Sequence, residues 1–107
     1  MSYRASVLLA ATLLPLAVAA GDPIAGKEKS ATCAACHGAD GVSSAPTFPT
    51  LAGQHETYLV QSLKQYRDGS RKNAVMAPMA ANLSDEDIAD LAAFYARQKG
   101  PLKTVKY

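Results

Sequence analysis

Apolar residues recur at helical spacing in the middle of the chain. Over residues 57–68, Leu59, Leu63 and Tyr66 fall on one side of a helix, and Gly69 follows at the position where helices commonly end. The pattern predicts an amphipathic helix that buries this side.

A second helix is predicted after Ser84. The Ser84 side chain can cap the helix, and acidic residues at 85–87 suit the positive end of the helix dipole. Gly100-Pro101 would stop the helix. Apolar residues fall at helical spacing between these signals: Ile88, Leu91, Ala92 and Tyr95.

The remaining segments predict one short helix and two loops. Asp22-Pro23 is typical of a helix start, so residues 24 to about 32 are expected to form a helix. Segments 38–53 and 71–83 have the composition of loops, and residues after Pro101 are expected to form a loose tail. No segment shows the strict alternation of apolar and polar residues that is typical of a β-strand, so the predicted fold class is all-α.

The first twenty residues have the pattern of a secretory signal peptide. Arg4 is followed by an apolar run, and a small-residue cleavage pattern ends near Ala19 or Ala20. An uncleaved membrane anchor is the alternative, but the run is shorter than the roughly 20 apolar residues that a span needs. We therefore expect a signal peptide at 1–20, one domain at 21–107, and no stable membrane span after cleavage.

Composition limits what this domain can be. Without Arg4 the formal charge falls from +2 to +1, so no footprint for nucleic acid is present. The chain has two cysteines and no tryptophan, which leaves a small core without a disulfide framework. Domains of this size often need a cofactor to complete the core.

The sequence Cys33-Ala34-Ala35-Cys36-His37 carries the candidate chemistry. A thiol–disulfide redox pair would need only the two cysteines, but such pairs usually occur with a βαβ pattern, which is absent here. A structural zinc site would need about four ligands, usually in two separated pairs, and the adjacent cysteine and histidine are poorly spaced for that.

Covalent attachment of haem explains every position of this motif. Two thiols separated by two residues can reach the two vinyl groups on one edge of haem, and the next residue can then bind iron through its imidazole. C-x-x-C-H is the attachment signature of c-type haem. The sequence therefore predicts one haem c, bound through Cys33 and Cys36, with His37 as an iron ligand.

The sixth iron ligand decides between electron transfer and chemistry at an open iron. Met76 and Met79 lie in the segment before the last helix, and a thioether ligand would raise the reduction potential and close the site. Either methionine could instead fill the core. His55 is a rival ligand, although its position after a glycine-rich turn favours the surface.

The chain resembles the class I cytochromes c of bacteria. It is similar to one domain of the two-haem cytochromes c over nearly the whole mature chain, but it holds a single attachment motif. The resemblance implies a small fold in which the N- and C-terminal helices pack around the covalently attached haem, and it implies that Met76 is the iron-binding methionine. Four segments carry the likeness: C-x-x-C-H-G-x-x-G at 33–41, P-x-F-P-x-L-x-G-Q at 46–54, M-x-x-M at 76–79, and L-S-D-x-D-I-x-D-L-A-A-x-Y at 83–95.

The resemblance also implies roles for residues around the haem. The backbone carbonyl of Pro46 would accept the second ring hydrogen of His37, as metal-bound histidines require. Gly26 would let the first helix pass close to the last near Tyr95. The haem propionates would be held by three further residues: Gln54, Tyr58 and Arg67.

The expected function is that of an exported electron carrier in the periplasm, not of an enzyme. Its partners would be redox proteins, donor and acceptor being unknown, and it would be a monomer or a weak dimer. One alternative is a haem enzyme or a gas or peroxide sensor with an open sixth position. Another is the electron-transfer subunit of a dehydrogenase.

Overall fold

The computed structural model describes residues 1–14 and 21–105. Within these ranges it contains no strand, which confirms the all-α class. Residues 1–14 are exposed and lack regular structure, and the predicted cleavage site near Ala19 or Ala20 lies outside the described residues. No helix in the described ranges combines the length and apolarity needed to cross a membrane. The helices are α1 (Pro23–Lys29), α2 (Ala31–His37), α3 (Glu56–Asp68), α4 (Met76–Ala80) and α5 (Asp85–Ala96).

The first predicted helix is in fact two helices that meet at Ser30. The Asp22 side chain caps α1 by accepting from the backbone N–H of Ile24 at 2.9 Å. The Ser30 hydroxyl then donates to the carbonyl of Lys27 at 2.7 Å, which ends α1. Because α2 begins at the next residue, the whole C-x-x-C-H motif is helical rather than following a helix.

The segment predicted as a loop at 71–83 contains the short helix α4. The Asn73 side chain accepts from the backbone N–H groups of Val75 at 3.0 Å and Met76 at 2.9 Å, so it satisfies donors at the start of the helix. Pro78 lies in the first turn of α4, where its missing N–H removes no helical hydrogen bond. Both candidate methionines therefore lie on a helix.

The α5 helix is buried nearly all round because α1 and α3 both pack against it. Its predicted cap is confirmed, since Ser84 and Asp87 exchange two hydrogen bonds of 3.0 Å in a capping box. Ile88 and Leu91 are the large side chains in the described ranges that are fully buried.

Gly26 allows a close approach between α1 and α5. A Cβ atom at this position would overlap the carbonyl group of Asp90 and lie 2.8 Å from the Cβ of Phe94. The close approach near Tyr95 that the family resemblance implies is therefore present, and it is made at Asp90 and the adjacent Phe94.

Ionic contacts fasten both ends of α1 to α5. The Asp90 carboxylate, 4% exposed, accepts from Lys29 Nζ at 2.7 Å and from the backbone N–H of Asp22 at 2.8 Å. Lys29 Nζ also lies 2.9 Å from Asp87 Oδ1. These bonds raise the pKa of Lys29, chiefly through Asp90, and lower the pKa of Asp90, chiefly through Lys29. The backbone N–H of Ser84 and the Lys29 ammonium lower the pKa of Asp87 to about 2.

The loop after α2 and the C-terminal tail are both fixed to the helices. The Gly41 carbonyl accepts from the backbone N–H of Leu51 at 2.7 Å, and the Gly53 N–H donates to the carbonyl of Tyr95 at 3.0 Å. The Thr104 hydroxyl donates to the Gly53 carbonyl at 2.7 Å. The prediction of a loose tail is therefore wrong at Thr104, because a long-range hydrogen bond holds it.

Replacing Gly26 by Ala should lower the free energy of unfolding by about 3 kcal/mol, because the added methyl group forces α1 away from α5. Chemical denaturation of the haem-loaded protein measures the change. Gly69→Ala is the control, since Gly69 has a φ of +83° and nothing within 4 Å of the added atom. The left-handed backbone conformation at residue 69 should by itself lower the free energy of unfolding of this control by about 1 kcal/mol. Equal losses for the two variants would contradict the close helix contact.

Asp90→Asn should destabilise the protein at neutral pH and by less in acid. The folded pKa of Asp90 is lowered, so its contribution is fully present above the ordinary value of 3.8 and is lost as the pH falls through the folded value. Denaturation curves at a series of pH values from neutral to about 2 test this, with Glu86→Gln on the same helix as the control. If the difference in free energy of unfolding between wild type and variant stayed constant across this pH range, the stabilising role of the ionised Asp90 carboxylate would be contradicted.

Candidate functional site

Cys33 and Cys36 lie on one side of α2, because residues three apart on a helix are neighbours. Both thiols are free and half-buried, and Cys33 packs against the core cluster that includes Tyr95. The helix therefore presents two free thiols on one side, and Cys33 borders the apolar interior.

His37, the last residue of α2, is held in a single orientation. It is 6% exposed, and its Nδ1 lies 2.7 Å from the backbone carbonyl of Pro49. Since a carbonyl can only accept, this bond assigns the ring proton to Nδ1 and leaves the lone pair of Nε2 for a metal. A fixed second nitrogen is what a metal-bound histidine requires.

The prediction that Pro46 supplies this carbonyl is wrong. Pro46 lies at the exposed corner of a turn in which the carbonyl of Ala45 accepts from the N–H of Phe48 at 3.1 Å. The chain reaches His37 only after this turn, at Pro49. Sequence reasoning missed Pro49 although both prolines lie in the same short motif, because the turn between them decides which carbonyl faces the imidazole.

The two candidate methionines differ in their environments. Met76, at the start of α4, is half-buried, whereas Met79 is 42% exposed. The short helix packs against α3. A ligand that closes an apolar site must be withdrawn from water, so burial favours Met76. His55 lies at the N-cap position of α3 and is half-buried.

The residues expected to hold the propionates have partners of their own. The Gln54 side-chain carbonyl accepts from the backbone N–H of His55 at 2.9 Å. Arg67 donates to the Leu83 carbonyl at 3.0 Å and to Asp85 at 2.7 Å, and this bond lowers the pKa of Asp85. Arg67 therefore ties α3 to the start of α5, and its role toward a propionate stays a prediction.

Arg71 is the cation beside Tyr58, and sequence reasoning gave it no such role. Its guanidinium lies 3.1 Å from the Ser62 hydroxyl and 3.4 Å from the Tyr58 hydroxyl, and its carbon lies 4.8 Å from the centre of the Tyr66 ring. The hydrogen bond from Arg71 lowers the pKa of Tyr58. A sequence signal was available, because Arg71 follows the glycine that ends α3 and can fold back over the last turns of the helix.

The donor set fits covalently attached haem. Two adjacent thiols, an imidazole with a free Nε2 and a half-buried thioether match the attachment points and axial ligands of c-type haem. Among the described residues, no group of three His, Cys, Asp or Glu side chains could hold a metal ion, so no four-ligand zinc site is assembled there. Two surface depressions, of about 340 and 500 Å³, include neither the cysteines nor the methionines.

Comparison with known proteins identifies the family. A family model described as Cytochrome c matches residues 23–97. Cytochrome c-554(548) of Halomonas halodenitrificans is 58% identical over 83 residues, which cover 75% of this chain and 100% of that protein. Cytochrome c4 of Pseudomonas aeruginosa is 53% identical over 94 residues, which cover 88% of this chain but 47% of that protein.

Structural similarity agrees with the sequence matches. The reduced recombinant cytochrome c4 from Pseudomonas stutzeri superposes with a TM-score of 0.74 at 47% identity, covering 78% of this chain and 48% of that one. A protein named thiosulfate dehydrogenase electron acceptor, from Thiomonas intermedia, is 44% identical over 72 residues, which cover 66% of this chain and 33% of that protein. The chain thus spans the whole of one relative and about half of the cytochromes c4. It belongs to the cytochrome c family of haem-binding electron-transfer proteins, and Cys33 and Cys36 supply the covalent attachment motif for haem c.

Proposed function

We propose that this chain is an exported electron carrier with one haem, in which His37 and Met76 bind the iron. The observation that carries the proposal is the buried His37, whose Nδ1 is fixed 2.7 Å from the Pro49 carbonyl directly beside the two free cysteines. When bound, haem c supplies reversible one-electron chemistry, and no substrate needs to reach the iron.

The chain's own residues would keep this chemistry fast and specific. Cys33 and Cys36 would attach the haem, the Pro49 carbonyl would orient His37 as one iron ligand, and Met76 would supply the other. Because the ligands lie on α2 and α4, which the packing of α1, α3 and α5 holds in place, a change of charge requires little rearrangement. The haem propionates would be held by Gln54, Tyr58 and Arg67, with Arg71 as a further cation at Tyr58.

The remaining expectations on export and partners belong to the same proposal. Residues 1–20 would act as a signal peptide for the periplasm and leave a domain at 21–107 that works as a monomer or a weak dimer. The donor and acceptor would be redox proteins. Acidic partners would be steered by basic residues that we propose for the haem edge: Lys27, Lys64, Arg71 and Lys72. Lys29, a further basic residue of this region, is paired with Asp87 and Asp90.

A second candidate is an electron acceptor held in complex with a dehydrogenase. The relative from Thiomonas intermedia that is named thiosulfate dehydrogenase electron acceptor favours a role as acceptor. Co-purification of the periplasmically matured protein with a larger dehydrogenase would support this candidate, whereas isolation of the free chain with full redox activity would support a diffusing carrier.

Carbon monoxide tests whether the chain is a carrier or an enzyme or gas sensor. The visible spectrum of the reduced, periplasmically matured protein should show c-type haem bands that carbon monoxide leaves unchanged, because Met76 occupies the sixth position. A ready spectral shift would overturn the carrier proposal in favour of an open iron. Matured protein without these bands would overturn the haem assignment.

Met76→Ala should leave haem attached but abolish the low-spin, methionine-ligated spectrum and lower the reduction potential, because the soft sulfur ligand is lost. Met79→Ala is the matched control on the same helix and should change the spectrum little, since Met79 is 42% exposed. Absorption spectra and redox titrations of both variants provide the comparison. If Met79→Ala alone abolished the spectrum, Met79 would be the ligand.

A further inference from the structure

The hydroxyl of Tyr95 is buried without a hydrogen-bond partner among the described residues. Tyr95 lies on α5 and is 3% exposed. The sequence placed Tyr95 on the apolar side of this helix, near its contact with the first helix, and gave its hydroxyl no role. Buried polar groups without a partner are rare, because they destabilise the folded state. We therefore expect an acceptor for this hydroxyl that the folded polypeptide does not supply by itself.

The ring of Tyr95 is fixed, so its hydroxyl cannot turn toward water. A Cβ atom on Gly41 would lie 2.7 Å from Cδ1 of the ring, which shows how closely the loop covers it. The Phe94 ring lies on another side, with the two ring centres 5.0 Å apart and their planes tilted by 55°. The acceptor must therefore come to the hydroxyl.

Two polar side chains of the neighbouring segment, Ser30 and Cys33, lie close to Tyr95, and neither is hydrogen-bonded to its hydroxyl. Ser30 is buried, and its own hydrogen is donated to the Lys27 carbonyl at 2.7 Å. Cys33, one turn further along, packs against the core cluster that contains Tyr95. Burial raises the pKa of Tyr95, so the hydroxyl keeps its proton and acts as a donor.

We propose that Tyr95 donates a hydrogen bond to the sulfur of Cys33 once that sulfur is bound to haem. This inference rests on haem attachment at Cys33, as given under the proposed function. A free thiol is both a weak donor and a weak acceptor, whereas a thioether sulfur has lost its hydrogen and can only accept. Attachment therefore turns Cys33 into the kind of partner that the Tyr95 hydroxyl lacks.

This hydrogen bond would give Tyr95 a positioning role in electron transfer. It would restrict rotation about the carbon–sulfur bonds of Cys33 and so fix that edge of the haem. It would also point the positive end of the O–H dipole toward the haem, which stabilises the reduced state relative to the oxidised state. Hydrogen bonding of this kind is one of the means by which proteins tune haem potentials.

The test is Tyr95→Phe in the full, haem-loaded protein, because this change removes the hydroxyl and keeps the ring. Resonance Raman spectroscopy should show a shift of the carbon–sulfur stretching band of Cys33. Redox titration should show a lower midpoint potential, which corresponds to a reduction equilibrium constant about two- to fivefold smaller. Tyr66→Phe is the control, since it removes a hydroxyl from α3 while keeping the ring over which Arg71 lies.

A measurement on the wild type makes the test independent of how well the variant folds. Exchange into deuterated water should shift the carbon–sulfur band of the wild type, because a deuteron replaces the Tyr95 hydroxyl proton that is hydrogen-bonded to the sulfur. An unchanged band would overturn the inference. The inference would also be overturned if Tyr95→Phe changed the midpoint potential only at pH values above the pKa of a haem propionate. The acceptor of the Tyr95 hydrogen bond would then be that propionate. Mass spectrometry that finds no haem on Cys33 of the wild type would instead refute the proposed attachment itself.

Discussion

The close contact between α1 and α5 at Gly26 is the constraint on which the rest of the structure depends. A side chain larger than hydrogen would meet the backbone of Asp90, so the two helices can approach to this extent only at a glycine. Because α2 begins one residue after Ser30 ends α1, the position of the cysteines follows from this contact. The bonds from Lys29 and the Asp22 backbone to Asp90 keep the two helices in register.

The second constraint is the path of the loop that returns to His37. The loop is fixed at the Gly41 carbonyl and at the bond between Gly53 and the carbonyl of Tyr95. With both points held, the Pro49 carbonyl reaches Nδ1 of His37 at 2.7 Å. The orientation of His37, the proposed iron ligand, thus depends on backbone bonds that connect the loop to α5.

The protein interior is small, and this agrees with a core completed by a bound group. Apart from Ile88 and Leu91, the completely buried side chains of the described ranges are alanines. Tyr95 brings a hydroxyl into the same interior without a partner in the polypeptide. Both features are expected where a large apolar group with its own attachment chemistry occupies the centre.

The sequence by itself determined the helical class, the Ser84 cap and the attachment motif, because each depends on residues close together in the chain. Spacing along a helix and the reach of two thiols toward one haem are local properties. Tertiary structure alone decided that Pro49 rather than Pro46 meets His37, that Arg67 bonds Asp85 while Arg71 meets Tyr58, and that Thr104 is held. Turns and helix contacts that bring distant residues together determine these partners. No local sequence pattern specifies which of two similar groups makes the hydrogen bond.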